Sequence, residues 1–235
     1  RYCLHVNVAN SLALKAGGIG PGFKAKVEGT VEFGPDGNPT GTLRDQAAAD
    51  IIALIPDPLA SQEGKKDAVE RACHELNSHG LTGVHAIQGV HCNLPEYTDM
   101  YQDLKDEGRL TVRVCLGYDE LPNCSIRTGL GDDMVRYGFY KLYVDGNMGG
   151  RTALLCEPYS DDPTQTGIPN YTQEELDAKV KAGYERNIQV GAHVIGDKAA
   201  EMLTTAIERA YYANPKEGPR FRMIHMSLLN EDIIR

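Results

Sequence analysis

The chain has 235 residues, 41% of them hydrophobic and 24% charged, ordinary globular proportions that exclude a disordered, collagen-like or small disulfide-scaffold protein and allow one or two domains. Its 24 Lys+Arg against 33 Asp+Glu leave a formal charge of −9 with no basic stripe, so a nucleic-acid partner lacks its electrostatic footprint. No stretch approaches the roughly 18 consecutive apolar residues of a membrane span, and RYCLHVNVANS at the start lacks a basic region followed by an apolar one, so no membrane partner and a cytoplasmic location are expected.

Residues 28–44, EGTVEFGPDGNPTGTLR, place two β-favouring runs around a Pro, Asp, Gly and Asn cluster, the chemistry of a hairpin turn. This hairpin, with a helix before it, makes residues 1–60 an excursion expected to pack on the main fold. From residue 65 the period changes. Ala68, Val69, Ala72, Cys73 and Leu76 recur at helical spacing, Gly80 stops the run, and LTGVHAI follows as a short strand. Tyr97, Met100, Tyr101 and Leu104 mark a second helix, ended by Gly108, before the strand 110–118, LTVRVCLGY. GFYKLYV at 138–144 is a third strand. After a long loop, Thr172 and Glu175 form a capping box opening a helix with Leu176, Val180 and Tyr184 on one face, and IQVGAHV follows. A last helix carries Ala200, Leu203, Ile207 and Ala210 on one face ahead of RFRMIHM.

Strand starts near 82, 110, 138, 188 and 221 repeat at the spacing of a βαβ unit except across the long loop, so the class is parallel α/β over residues 61–235. No GxGxxG follows a strand, which argues against a dinucleotide-binding version. A (β/α)8 barrel requires eight strands over typically about 250 residues, and five are visible, so a barrel reading means an incomplete one. The six cysteines stand far apart without a CxxC and read as reduced thiols.

Sites on parallel α/β folds lie outside the carboxyl ends of the strands, where this sequence sets His85, Lys141, His193 and His225. Imidazoles suit zinc and its first-row neighbours, and rigid strand ends supply fixed geometry. Lys141 follows an apolar run, and burying an uncompensated ammonium is costly, so it should be paired, with Asp145 or another acid, or else deprotonated or modified. A neutral lysine serves two chemistries, a Schiff base with a carbonyl substrate or a carbamate that ligates metal. Arg151, on the long loop, offers a fork for a substrate carboxylate, or a local ion pair. Asp197 is placed to cap the following helix, with a supporting contact to His193 as the alternative.

FYKLYVDGNMGGRTALLCEPYSDDP at 139–163, VGAHVIGDKAAE at 190–201 and RMIHMSLL at 222–229 resemble the YtcJ-like branch of the amidohydrolase superfamily, metal-dependent hydrolases on a distorted (β/α)8 TIM barrel. HVNVANSLALKAGGI and DGNPTGTLRDQA extend the resemblance along nearly the whole chain. It implies hydrolysis of amide or cyclic amide C–N bonds by a metal-bound hydroxide on a small-molecule substrate. Carried over by residue, Lys141 matches the carboxylated bridging lysine, and His193 and His225 match the histidines ending the fifth and sixth barrel strands. His5 matches a histidine near the substrate entrance. The cofactor implied is a divalent transition metal, zinc by preference, with one or two ions in a complete enzyme.

The sequence departs from that pattern in two places. No two of its seven histidines stand two apart, so the HxH of the first barrel strand is missing, and the final-strand Asp would lie beyond Arg235. The expectation is therefore an internal segment covering about strands two to six, inactive and weakly metal-binding by itself. A Schiff-base lyase using Lys141 and a non-catalytic binding module are the alternatives, and homo-oligomerisation stays open.

Overall fold

A computed structural model describes residues 6–24, 29–55, 59–88 and 94–234. They fall into two compact units, Arg1–Lys65 and Lys66–Arg235. The first contains β1 (Val6–Val8), α1 (Ser11–Ala16), β2 (Gly29–Phe33), β3 (Pro39–Asp45) and the short helix α2 (Ala49–Ile52). β2 and β3 form the expected antiparallel hairpin, and β1 adds to the other edge of β3, giving the order β1-β3-β2. The sequence reading did not find β1, whose three residues are too few for alternation to show. The side chain of Asn10 accepts the Ala13 N–H at 2.9 Å and caps α1, while Leu14, Ile19, Leu43, Ala47 and Ala48 form a small core of their own.

The second unit continues with α3 (Gln62–Ser78), β4 (Gly83–Gln88), α4 (Leu94–Asp106), β5 (Arg113–Tyr118), β6 (Val135–Tyr143), α5 (Gln173–Glu185), β7 (Gln189–Val194), α6 (Asp197–Ala213), β8 (Arg222–His225) and α7 (Glu231–Ile234). Its five strands are all parallel and lie in chain order, β4-β5-β6-β7-β8. A doubly wound sheet reverses its order at a switch point, whereas strands that step always to the next neighbour curl one way and form the arc of a barrel. The fold is thus α/β, an open five-stranded parallel arc of the TIM-barrel kind.

Burial explains the strand composition. β6 is buried along almost its whole length, as parallel strands covered on both faces are. On the helix side, Leu104, Leu142, Val144, Leu176, Val180, Val190, Val194 and Leu203 form one continuous core. The capping box at Thr172 and Glu175 is present, and α6 buries Ala199, Ala200, Ala206 and Ala210, small residues that let the helix approach the sheet closely. Elsewhere in this unit Phe139 is fully buried between two glycines of adjacent strands. A Cβ on Gly117 or Gly191 would stand 2.5 or 2.6 Å from that ring, so both positions exclude a side chain.

Two features differ from the sequence reading. The segment 119–134 joins β5 to β6 without a helix and is held by Arg186, whose guanidinium donates to the carbonyls of Pro122 at 2.5 Å and Cys124 at 2.8 Å. β5 also begins at Arg113 rather than 110; Leu110 and Val112 are buried ahead of the ladder. Among the described residues, Cys73, Cys115, Cys124 and Cys156 are free, and no helix is long and apolar enough to cross a membrane.

Candidate active site

Three of the singled-out residues meet at the carboxyl end of the arc. Lys141, two residues from the end of β6, is 2% exposed. Its Nζ donates to the Leu142 carbonyl at 2.9 Å and lies 3.7 Å from the centroid of the Tyr143 ring. No carboxylate among the described residues comes within ion-pair distance of it, and burial pushes its pKa down to about 8. Asp145, the partner considered for it, is engaged elsewhere: its buried carboxylate accepts the N–H groups of Leu154, Gly196 and Ile195 at 2.9, 2.8 and 3.0 Å.

His193 pairs in register with Tyr143 and sits beside it, ring centroids 6.0 Å apart. With the 3.7 Å separation of Lys141 Nζ from the same tyrosine, this keeps the amine within about 10 Å of the imidazole, a span that ligands of a shared metal pair can bridge. His193 Nε2 lies 2.8 Å from the Gly146 carbonyl and 3.7 Å from Asp145 Oδ1. His225 closes β8 opposite Val194, which is fully buried, whereas His225 is exposed. Its φ of 76° puts a non-glycine residue in the left-handed region, and its ring meets that of His193 at 4.7 Å and 72°. Burial lowers the His225 pKa, helped by the charges of His193 and Lys141 and opposed by Asp145.

The other positions behave differently. His85 is not at a strand end: β4 continues to Gln88, and His85 faces a cavity of about 440 Å³ at the amino ends of the strands, where both its ring nitrogens lie close to an Arg222 guanidinium nitrogen, at 2.9 and 3.3 Å. The Arg151 fork is filled by Asp161, at 2.9 Å from Nη2 and 3.3 Å from Nε, the local ion pair weighed against substrate binding. His5 lies outside the described residues. Asp197 neither caps α6, a place taken by Gly196, nor reaches His193; its Oδ1 accepts from Cys156 N and Lys198 N, each at 2.9 Å, tying the long loop to the first turn of the helix. Asp197→Ala should accordingly cost about 1 kcal/mol in urea unfolding and leave the histidine resonances of the site unmoved.

The sequence reading missed Tyr143, which covers the lysine, and considered Asp145 only as a partner for Lys141, not as the acceptor of three backbone N–H groups from the long loop and the turn after β7. An acid directly after the apolar run of β6 was the available signal for Asp145, but its partners are peptide N–H groups that no residue letter reveals. Among the described residues, no three His, Cys, Asp or Glu side chains stand in metal-holding geometry, so a metal here must draw on Lys141 or on groups beyond them.

The fold and these motifs agree with what comparison with known proteins finds. The sequence pattern of the amidohydrolase family matches residues 1–235, and the chain belongs to that family. It is similar to the YtcJ protein of Bacillus subtilis (strain 168), which carries an amidohydrolase name, with 31% identity over 242 residues, covering 100% of this chain and 44% of that one. It is also 29% identical to the protein LONG AFTER FAR-RED 3 of Arabidopsis thaliana, over 94% of this chain and 40% of that one. Among solved structures it resembles an uncharacterized metal-dependent hydrolase from Pyrococcus furiosus (TM-score 0.68, 26% identity, 98% of this chain and 45% of that one) and another from Pyrococcus horikoshii OT3 (TM-score 0.68, 25% identity, 98% and 44%). The chain spans less than half the length of each of these relatives.

Proposed function

We propose that this chain supplies part of the active site of a cytoplasmic metal-dependent hydrolase that cleaves amide or cyclic amide C–N bonds in a small-molecule substrate, with Lys141, His193 and His225 as metal ligands. The observation that carries the reading is a buried lysine without a carboxylate partner among the described residues, at the same strand-end mouth as two touching imidazoles. The donor set fits a borderline transition metal such as zinc, since it combines imidazole nitrogens with an amine whose carbamate would offer oxygen. A bound metal of this kind lowers the pKa of its water to near 7 and polarises a carbonyl.

The chain's own residues prepare that site. By lowering the Lys141 pKa to about 8, burial raises the neutral share of the amine at pH 7 above that of an exposed lysine, and the neutral amine is the form that attacks carbon dioxide; a C–N bond forms and the amine proton leaves to solvent. Tyr143 covers the amine and separates it from water. His193 and His225 are fixed by the ends of β7 and β8, and the lowered pKa of His225 keeps its imidazole neutral, as a ligand must be.

The test is hydrolysis of a panel of N-acyl and cyclic amide substrates by the full-length gene product, before and after chelation and on adding zinc. Activity lost on chelation and restored by zinc supports the reading, and turnover indifferent to metal overturns it. Borohydride trapping of Lys141 with a carbonyl substrate would point instead to Schiff-base chemistry. With three candidate ligands in these 235 residues, the chain alone should retain less than one zinc per molecule after dialysis, measured by elemental analysis.

A further inference from the structure

We infer that the cavity at the amino ends of the parallel strands binds the phosphate group of a small organic molecule, gripped by Arg113, Arg136, Arg220 and Arg222. It lies at the opposite end of the strands from Lys141, His193 and His225 and does not depend on the function proposed for them.

The cavity holds about 440 Å³, within the roughly 300 to 1,000 Å³ of small-molecule sites. Arg113 opens β5, Arg136 is the second residue of β6, Arg222 begins β8 and Arg220 stands just before it, and all four line the cavity. Parallel strands start on one side of their sheet, so arginines scattered along the sequence share one hollow without forming a basic stripe. Among the described residues no Asp or Glu lines it, and no carboxylate pairs with any of the four. The contrast within the chain is sharp. Arg109, Arg151 and Arg209 each hold a carboxylate, and 33 acids outnumber 24 bases. Like charges set round one hollow repel, and an anion between them would relieve that cost.

Arg222 is already held in place. Its Cζ lies 4.9 Å from the centroid of the Phe139 ring, and its Nη1 is 2.9 Å from His85 Nδ1, a contact in which the arginine donates. Burial lowers the His85 pKa and the charge of Arg222 adds to it, so the ring stays a neutral acceptor. Cys115 lies in the same lining; burial raises its pKa, and the charges of Arg222 and Arg136 both oppose that rise. Two of the four guanidinium groups thus stand near one thiol. Thr128 braces the wall, its Oγ1 donating to the Gly138 carbonyl at 2.6 Å and accepting the Gln189 N–H at 2.7 Å. A guanidinium fork matches phosphate oxygens two at a time, and a phosphate monoester carries about −1.5 to −2 at pH 7, more than one carboxylate.

The experiment is isothermal titration calorimetry of the 235-residue chain with phenyl phosphate, inorganic phosphate and citrate, at an ionic strength held constant with chloride. Phenyl phosphate should bind at one site with a dissociation constant below about 1 mM. Arg222→Gln should weaken it at least about tenfold, and so should the double variant Arg113→Gln, Arg136→Gln, whose two side chains are exposed and not needed for the fold. Arg209→Gln, which removes a guanidinium paired with Asp177, should leave binding unchanged. Phenyl phosphate should also slow alkylation of Cys115 by iodoacetamide, read by peptide mass spectrometry. Absence of saturable binding, an unchanged affinity in the double variant, an equal loss in Arg209→Gln, or Cys115 alkylation unaltered at saturation overturns the site. If Arg222→Gln does not fold, the double variant decides. Citrate binding more tightly than phenyl phosphate overturns the choice of phosphate, and inorganic phosphate binding as tightly overturns the organic part of the ligand.

Discussion

Lys141→Met should raise the stability of the chain at pH 7 by about 3 kcal/mol and, in the full-length gene product, abolish metal-dependent hydrolysis. The stability gain follows from the amine's pKa, about 8 in the folded chain against the ordinary 10.5 of a free lysine. Between these values the unfolded chain binds more protons than the folded one, so wild-type stability rises with pH across the window and the penalty is fully present below about 8. The Leu142 carbonyl and the Tyr143 face offset part of the cost of burying the ammonium, but no carboxylate among the described residues does. Methionine has nearly the same length and no charge, so the difference between variant and wild type should shrink toward zero above about pH 10.5. Urea unfolding at pH 7 and pH 10 measures both limbs. A methionine variant less stable than wild type at pH 7 would show that the ammonium has a favourable partner, and the carbamate assignment would lose its main support.

How far the sequence discloses this architecture depends on where the information resides. The parallel strands and their helices are legible because burial imposes a period on the residues: Leu176, Val180 and Tyr184 face inward on α5 as their spacing requires. Boundaries are less legible. β6 begins at Val135, but exposed Arg136 interrupts the apolar run, so the pattern becomes readable only near Gly138. His85 looked like a strand end because GVH closes on a polar residue, yet in an arc with an inner face a polar residue also marks mid-strand positions. The clustering of Lys141, His193 and His225 at one end was legible, since parallel strands present their carboxyl ends together. What lay beyond reach was contact between side chain and distant backbone. The hold of Asp145 on residues 154, 195 and 196 and the left-handed turn at His225 depend on chain path, which composition and period do not encode.

Gly196→Ala should destabilise the chain by about 3 kcal/mol, while Gly149→Ala, on the loop beside the site, should change stability by less than about 0.5 kcal/mol. Gly196 has φ −78° and ψ 152°, values open to any residue, so its glycine is required by space rather than by backbone conformation. A Cβ there would stand 1.8 Å from the Leu154 carbonyl oxygen and 2.5 Å from its carbon, and these are backbone atoms that cannot rotate aside. Relief requires the long loop to move by more than 1 Å, roughly the deficit from an ordinary van der Waals contact near 3.5 Å. Leu154 N–H and Gly196 N–H share Asp145 Oδ2, and Ala199 N–H reaches the Leu154 carbonyl at 3.3 Å, so the displacement strains three hydrogen bonds together. At Gly149 the nearest heavy atom to a Cβ is the Asn147 side-chain oxygen at 3.6 Å, an ordinary contact, and φ is not positive. Chemical denaturation of the two variants measures the contrast, and NMR of Gly196→Ala should show the Leu154 and Gly196 amides losing exchange protection first. Equal stability of the two variants would mean that the loop yields freely, and that Asp145 does not hold the ends of β6 and β7 in register through it.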